Sequence, residues 1–298
     1  MIVAVSGSNG FIGGAVCTSL VANGHAVKRI VRTHPAGQGQ IFCDPVTGCT
    51  DTDALEGVDA VIHLAGESLA GKWNPQKKFD IYHSRTHGTD ILARAVLGLK
   101  EPPKHFLCAS AVGIYGDRAD TVLDEGSPAG TGFLADLCRQ WEANTHRLAD
   151  AGIRVVNLRF AMVLDKYGGA LAEMLPAFKL GLGSVLGSGS QYMSWISLAD
   201  VVCAVNFILE NHSLTGPVNI SHPVPVTNKE FTKTLAQVLK RPAVFKTPSW
   251  ALNLMFGQFA RDVLLSSAIV VPQKLLDADP VFAFEYADLK DALQAILK

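Results

Sequence analysis

The chain opens on a strand-like run, Ile2 to Ser6, that breaks into Gly7-Ser8-Asn9-Gly10-Phe11-Ile12-Gly13, and nothing else in it limits the fold as tightly. The spacing of Ile12, Val16, Leu20 and Val21 then predicts a helix to Asn23 with one buried face. Gly24 closes that helix, and Ala26 to Arg32 returns as a second strand. A strand, a helix and a strand of these lengths make a parallel pair. In such a unit the first glycine permits a tight turn and the second lets a pyrophosphate approach the backbone. The third lets helix and strand pack closely, while the helix N-terminus faces the phosphates. Alone, the triplet would serve as a structural corner; between these elements it predicts a dinucleotide cradle.

The end of the second strand bears on which dinucleotide. NAD sites place an acidic residue there to hold the ribose 2′-hydroxyl. Val27-Lys28-Arg29-Ile30-Val31-Arg32-Thr33-His34 contains no acid, and alternation leaves Arg32 at the tip. A guanidinium there pairs bidentately with a 2′-phosphate, so NADP(H) is expected; the plainer reading of Arg32 is a solvated strand-end charge.

Further strands are expected near Ala60–Leu64, His105–Ala109 and Val155–Arg159, alternating with helices near Pro75–Leu97, Phe133–Asp150 and Gly169–Leu180. This predicts an α/β fold, a Rossmann-type doubly wound parallel sheet with helices on both faces. The expected division is a nucleotide-binding domain over 1–225, its substrate region interleaved from about 165, and a small helical domain over 245–298. Gly181 to Gly189 carries four glycines and is expected as a mobile loop able to close over a substrate. A helix should follow at Leu198–Glu210 and a strand at Val218–Ile220. Thr227 with Glu230 forms a capping box for one more helix, and the Leu252, Met255, Phe256 and Phe259 spacing predicts a core-packing face.

With 27 acidic and 26 basic residues among 298, the chain lacks the basic footprint of a nucleic-acid binder. No window is long and apolar enough to span a membrane, and no basic leader precedes the first strand, so a cytoplasmic protein acting on a small molecule is expected. A homo-oligomer stays open. Cys17, Cys43, Cys49, Cys108, Cys138 and Cys203 are scattered, which argues against a disulfide scaffold or a structural zinc site. His83 and His87 share an i, i+4 spacing but have no third ligand at a convincing distance, so no metal is expected.

His63-Leu64-Ala65-Gly66, LAGESLAGKW (64–73), SRTHGT (84–89), GIYG (113–116), RQWE (139–142), the long segment 168–196 and PQKLLDADPVFAFEY (272–286) follow the glycine turn in order. Together they resemble the extended short-chain dehydrogenase/reductases. More specifically they resemble an epimerase-like branch described as sugar-nucleotide epimerases, with a small C-terminal domain of unknown function. The resemblance covers essentially the whole chain. It implies NADP(H) held across Gly7, Asn9, Gly10, Phe11, Ile12, Arg32, Leu64, Ala65 and Gly66. Arg85 stands where typical members carry an Asn, and a guanidinium there would clamp cofactor phosphates or an anionic substrate. Ser197-Leu198-Ala199-Asp200 stands where relatives show His-x-Asp-Asp, and only Asp200 matches.

Typical members move a proton with a Tyr-x-x-x-Lys pair on one helix face, the lysine lowering the pKa of the phenol. The corresponding positions here are Leu134 and Cys138, so the resemblance is to an atypical member. Ser110 at a strand end and Tyr115 in the following loop are the remaining catalytic candidates, with Lys72 as an acid. Glu67 and Trp73 are candidates for touching substrate. Each also has a bland reading: a locally bonded hydroxyl, a packed aromatic ring, a solvated charge. Two functions stay open, an NADP(H)-dependent oxidoreductase or epimerase acting on a small hydroxy/carbonyl or nucleotide-sugar-like substrate, or a non-catalytic NADP(H)-binding sensor or partner-binding protein that has no use for the missing pair.

Overall fold

The computed structural model describes residues 1–33, 39–45, 48 and 52–298. His34 and Cys49, named above, lie outside them.

Seven parallel strands form the central sheet. They are β1 (Ile2–Ser6), β2 (Ala26–Val31), β3 (Gln40–Phe42), β4 (Ala60–His63), β5 (His105–Ala111), β7 (Arg154–Phe160) and β12 (Gly216–Ile220), in the order β12-β7-β5-β4-β1-β2-β3. The order reverses between β1 and β4, which opens a crevice at their carboxyl ends. Both faces of the sheet are covered, so β1 and β4 are buried apolar runs, with polar Ser6 and His63 only at their carboxyl ends. In β1, Val3 and Val5 join the core under α1 (Phe11–Ala22) and α6 (Leu198–Glu210), where Val16, Leu20, Val205 and Ile208 are buried. Ala4 points the other way, toward Leu92, Val96 and Leu148 of α2 (Pro75–Leu97) and α4 (His146–Asp150).

Local chemistry sets the helix ends. The Asn74 Oδ1 accepts from Lys77 N at 2.7 Å, and Pro75 supplies a preset φ at the start of α2. The expected helix over 133–150 is two: α3 (Phe133–Ala143) and α4, broken where Thr145 donates its hydroxyl to the Glu142 carbonyl at 2.7 Å.

Beyond β7 the chain builds β8 (Met162–Leu164), α5 (Gly169–Lys179), β9 (Ser184–Leu186), β10 (Tyr192–Met193), β11 (Trp195–Ser197), β13 (Val226–Thr227) and α7 (Asn228–Leu239). The Thr227–Glu230 capping box is formed. The glycine-rich stretch at 181–189 is not the free loop expected. Residues 184–186 pair in parallel with β14 (Phe245–Thr247), and Asn228 Oδ1 takes the Leu186 N–H at 2.8 Å.

The C-terminal segment contains α8 (Ser249–Phe256), a single wide turn at Ala260–Leu264, β15 (Ile269–Val270), α9 (Gln273–Leu276) and α10 (Leu289–Ile296). It is therefore not purely helical as expected: β14 joins β9, and β15 joins β6 (Val122–Leu123). Leu252 is buried, but Met255 is 58% exposed, so the apolar spacing there marks only a partial core face. The amphipathic α10 lays Leu289 and Leu293 against Phe231 and Leu235 of α7. Cys17, Cys108 and Cys138 are buried free thiols and Cys203 an exposed one, whereas Cys43 is disulfide-bonded. Among the described residues no helix is long and apolar enough to cross a membrane.

Candidate active site: a glycine cradle and a second cavity

The crevice at the strand reversal is a cleft of about 500 Å³, lined by Ser6–Gly10, the end of β2, and Leu64–Glu67. Its glycines have separable reasons. Gly7 holds φ +67°, and a Cβ on it would lie 2.7 Å from the Leu64 carbonyl carbon, so only glycine lets β1 and β4 converge here. A Cβ on Gly13 would lie 2.2 Å from the Gly7 oxygen, so that glycine seats α1 on the turn. Gly10 has ordinary extended backbone, and a Cβ on it would meet only the Gly7 oxygen, at 3.1 Å. Packing does not demand glycine there, yet Gly10 lines the cleft. The bare position suits a ligand that approaches the backbone. No side chain caps α1 and no acid occupies its first turn, which leaves an electropositive helix end facing the crevice.

Arg32 is exposed on the rim of this cleft. Arg29, which strand alternation directs elsewhere, bends back onto the turn: its Nη1 donates to the Ser8 carbonyl at 2.9 Å and to Asn9 Oδ1 at 3.4 Å. Its reach depends on side-chain length, for which the sequence carries no periodic signal. Leu64, Ala65 and Gly66 form the opposite wall. Glu67 also lines it; the Lys77 ammonium at 2.7 Å holds its carboxyl below the usual range, and the Arg32 charge acts in the same direction. The side chains of Phe11 and Ile12 pack on the core instead. A Cβ on Gly168 would sit 2.3 Å from the Phe11 ring, so that glycine is the seat of the ring.

Arg85 lies behind the wall rather than in the cleft. Its guanidinium is 5.1 Å from the centre of the Trp141 ring, its Nη1 donates to the Ile81 carbonyl at 3.3 Å, and Gly66 leaves it room. Burial pulls its pKa below the ordinary arginine range.

The two hydroxyls offered by the sequence as catalytic are corrected by their surroundings. Ser110 is buried and donates to Glu142 Oε1 at 2.6 Å. The same carboxylate accepts from Arg159 Nε and Nη2, both at 2.8 Å, and Arg159 Nη1 donates to the Tyr115 oxygen at 2.9 Å. Tyr115 donates to Asn219 Oδ1 at 2.8 Å and has no exposed surface. Its phenol pKa is raised, by burial first. Neither residue is among those that line this cleft or the second cavity described below; both tie the ends of β5, β7 and β12 together. Glu142 and Arg159, far apart in sequence, were not candidates.

Other candidates divide similarly. Trp73 is buried and does not face a ligand: its Nε1 donates to the Leu69 carbonyl at 2.8 Å, and its ring meets Phe133 and Phe259 edge-on at 5.3 and 5.6 Å. Lys72 is exposed and lines neither cavity. Cys138, at the missing lysine's position, is a buried thiol whose pKa burial pushes up to about 12. Leu134, at the missing tyrosine's position, packs against Gly113. The His83 and His87 rings lie 4.4 Å apart, tilted by 40°.

A second cavity of about 410 Å³ lies beyond the ends of β5 and β7, where Ala111 and Phe160 contribute to it. Its far wall comes from the C-terminal segment: Phe259, Arg261–Leu264, Ser266 and Ala268. Tyr192 is the one tyrosine that lines either cavity among the described residues. Nothing in the sequence marked Tyr192, because it follows the glycine stretch on a strand of two residues.

A doubly wound sheet with a glycine cradle at its reversal point and an uncapped helix behind it defines a nucleotide-binding protein of Rossmann type. The chain belongs to the NAD dependent epimerase/dehydratase family, whose model matches residues 3–221, while residues 247–296 match a domain of unknown function. It is 42% identical to an epimerase family protein of Mycobacterium leprae over 98% of this chain and 94% of that one. The human epimerase family protein SDR39U1, solved with NADPH, superposes with TM-score 0.90 at 33% identity, covering 99% of both chains. A structure described as the nucleoside-diphosphate sugar epimerase of Corynebacterium glutamicum superposes with TM-score 0.81 at 32% identity, over all of this chain and 58% of that one.

Proposed function

We propose that this protein is an NADP(H)-dependent oxidoreductase or epimerase of atypical type that acts on a hydroxy or carbonyl compound. The observation that carries the reading is the cleft itself: open Gly10 and an uncapped helix on one side, Arg32 on the rim, and no carboxylate from Ala26 to Thr33. The human relative solved with NADPH supports it. The α1 N-terminus and the Gly7–Gly10 backbone would hold the pyrophosphate, Arg32 the 2′-phosphate, and Leu64–Gly66 the opposite wall.

When bound, the cofactor supplies a hydride to a carbonyl carbon. The carbonyl oxygen would then need a proton, and the Tyr192 phenol, on a residue that lines the second cavity, would supply it. The buried Ser110–Glu142–Arg159–Tyr115 chain keeps the strand ends rigid and exchanges no proton with a ligand. Titration with NADPH and NADH, followed by nicotinamide fluorescence, tests the cofactor assignment; binding of neither overturns it.

One observation favours a second reading, a non-catalytic NADP(H) sensor: Leu134 and Cys138 replace the usual acid and its lysine, and Ser110 is sealed away. Isotope exchange at the nicotinamide C4 on incubation with carbonyl compounds separates the two, since only an enzyme produces it.

A further inference from the structure

The proposed function leaves the substrate class open, and the second cavity narrows it. We propose that this cavity binds an apolar carbonyl compound with at most one negative charge, paired by Arg261, and that it excludes nucleoside-diphosphate sugars. The proposal rests on the oxidoreductase reading for its chemistry, but on the cavity alone for its ligand class.

The lining is built from apolar side chains. Met162, Met174 and Met193 face it, three of the five methionines in the chain, and unbranched thioethers adapt to irregular apolar ligands. The rings of Phe133, Phe160 and Phe259 add flat surface. Among the described lining residues those charged at neutral pH are Arg261, Asp117 and Asp262, one guanidinium against two carboxylates. Asp262 is held in place: Gln258 Nε2 donates to it at 2.9 Å, and Lys78 Nζ donates to Gln258 Oε1 at 2.9 Å. A diphosphate entering here would bring two negative charges to a site already net negative. Diphosphate sites instead gather several guanidinium, ammonium or helix N–H donors.

The nearby helix ends do not make up that deficit. The Thr227–Glu230 box closes α7, and the Phe11 ring packs against Gly168 and Gly169 at the start of α5; α3 begins uncapped at the cavity wall, but Asp136 sits in its first turn, so it adds one helix end at most. A single carboxylate or other monoanion can still pair with Arg261, which is exposed at the cavity's edge. The volume of about 410 Å³ suits a small organic ligand.

The test titrates the full-length protein, free and loaded with NADPH, against decanoate, decan-1-ol, UDP and UDP-glucose by calorimetry. Decanoate and decanol should bind, and UDP and UDP-glucose should not compete with them. Met174→Trp, which fills the cavity, should weaken both apolar probes about tenfold or more, with NADPH affinity unchanged as the folding control. Arg261→Ala should weaken decanoate about tenfold, the factor that corresponds to ~1.4 kcal/mol, and leave decanol within about twofold. Displacement of decanoate by UDP-glucose, equal decanoate affinity in Arg261→Ala, or failure of both apolar probes on protein that still binds NADPH overturns the proposal. Loss of NADPH binding with decanoate binding retained fails the cofactor reading and leaves the ligand class standing.

Discussion

Glu142 grips Arg159 with both carboxylate oxygens, and Ser110 donates to one of the same oxygens at 2.6 Å. The two charged side chains are only 11% and 8% exposed. Burial works against the charge on Arg159, and the paired carboxylate more than offsets it, so its pKa rises. Removing one partner strands the other. Glu142→Gln should therefore cost about 3–5 kcal/mol of unfolding free energy, and Tyr115→Phe, which takes a partner from Arg159 Nη1 and from Asn219 Oδ1, about 1–3 kcal/mol. Urea unfolding measures both. Folded variants should bind NADPH as the parent does, because the network touches neither cavity.

Arg32→Ala should weaken NADPH binding about 10–100-fold and NADH binding less than about threefold, the range of one charge-assisted bond to a 2′-phosphate. Parallel fluorescence titrations decide it. Equal losses for the two dinucleotides would shift the phosphate contact to Arg29 at the glycine turn.

Gly10→Val puts a branched side chain into the cleft where the bare backbone now stands. Cofactor affinity should fall by about 100-fold or more. Far-UV circular dichroism should stay unchanged, because at Gly10 a Cβ meets only the Gly7 oxygen, at 3.1 Å. Retained affinity would remove the pyrophosphate from this turn.

Tyr192→Phe should lower turnover about 10²-fold, with NADPH affinity intact, if its phenol delivers the proton. Steady-state rates on any carbonyl compound accepted by the parent provide the comparison, and an unchanged rate would rule the phenol out.

His63 is fully buried at the end of β4, its Nδ1 2.6 Å from Ser6 Oγ, and burial lowers its pKa to about 4 from 6.5. The unfolded chain thus takes up a proton that the folded one refuses. Stability from this site is complete above pH 6.5 and drains away as pH falls from there toward 4, about 3 kcal/mol in all. Urea midpoints across that window should fall in the parent and flatten in His63→Gln.

The parallel sheet was legible because buried strands and one-faced helices repeat with fixed periods; β1, α2 and α6 begin and end where the residues predict. The cradle was legible for the same reason, since its glycines sit at a strand–helix junction. β9 and β14 were not, because strands of three residues that pair across some sixty positions leave no period to detect. Ser110 and Tyr115 misled for a different cause. A hydroxyl at a strand's carboxyl end reads as cleft-facing until its partner is known, and the Glu142–Arg159 pair that claims both is assembled only by the fold.

The residues that line the cofactor cleft fall between positions 6 and 92, whereas those of the second cavity run from 69 to 268. On a ribosome, then, every side chain of the cradle emerges long before the far wall of its neighbour has been made. A growing chain would carry all its cleft-lining residues while its ligand chamber still stood open on one side, and only the arrival of residues 259–268 would shut it.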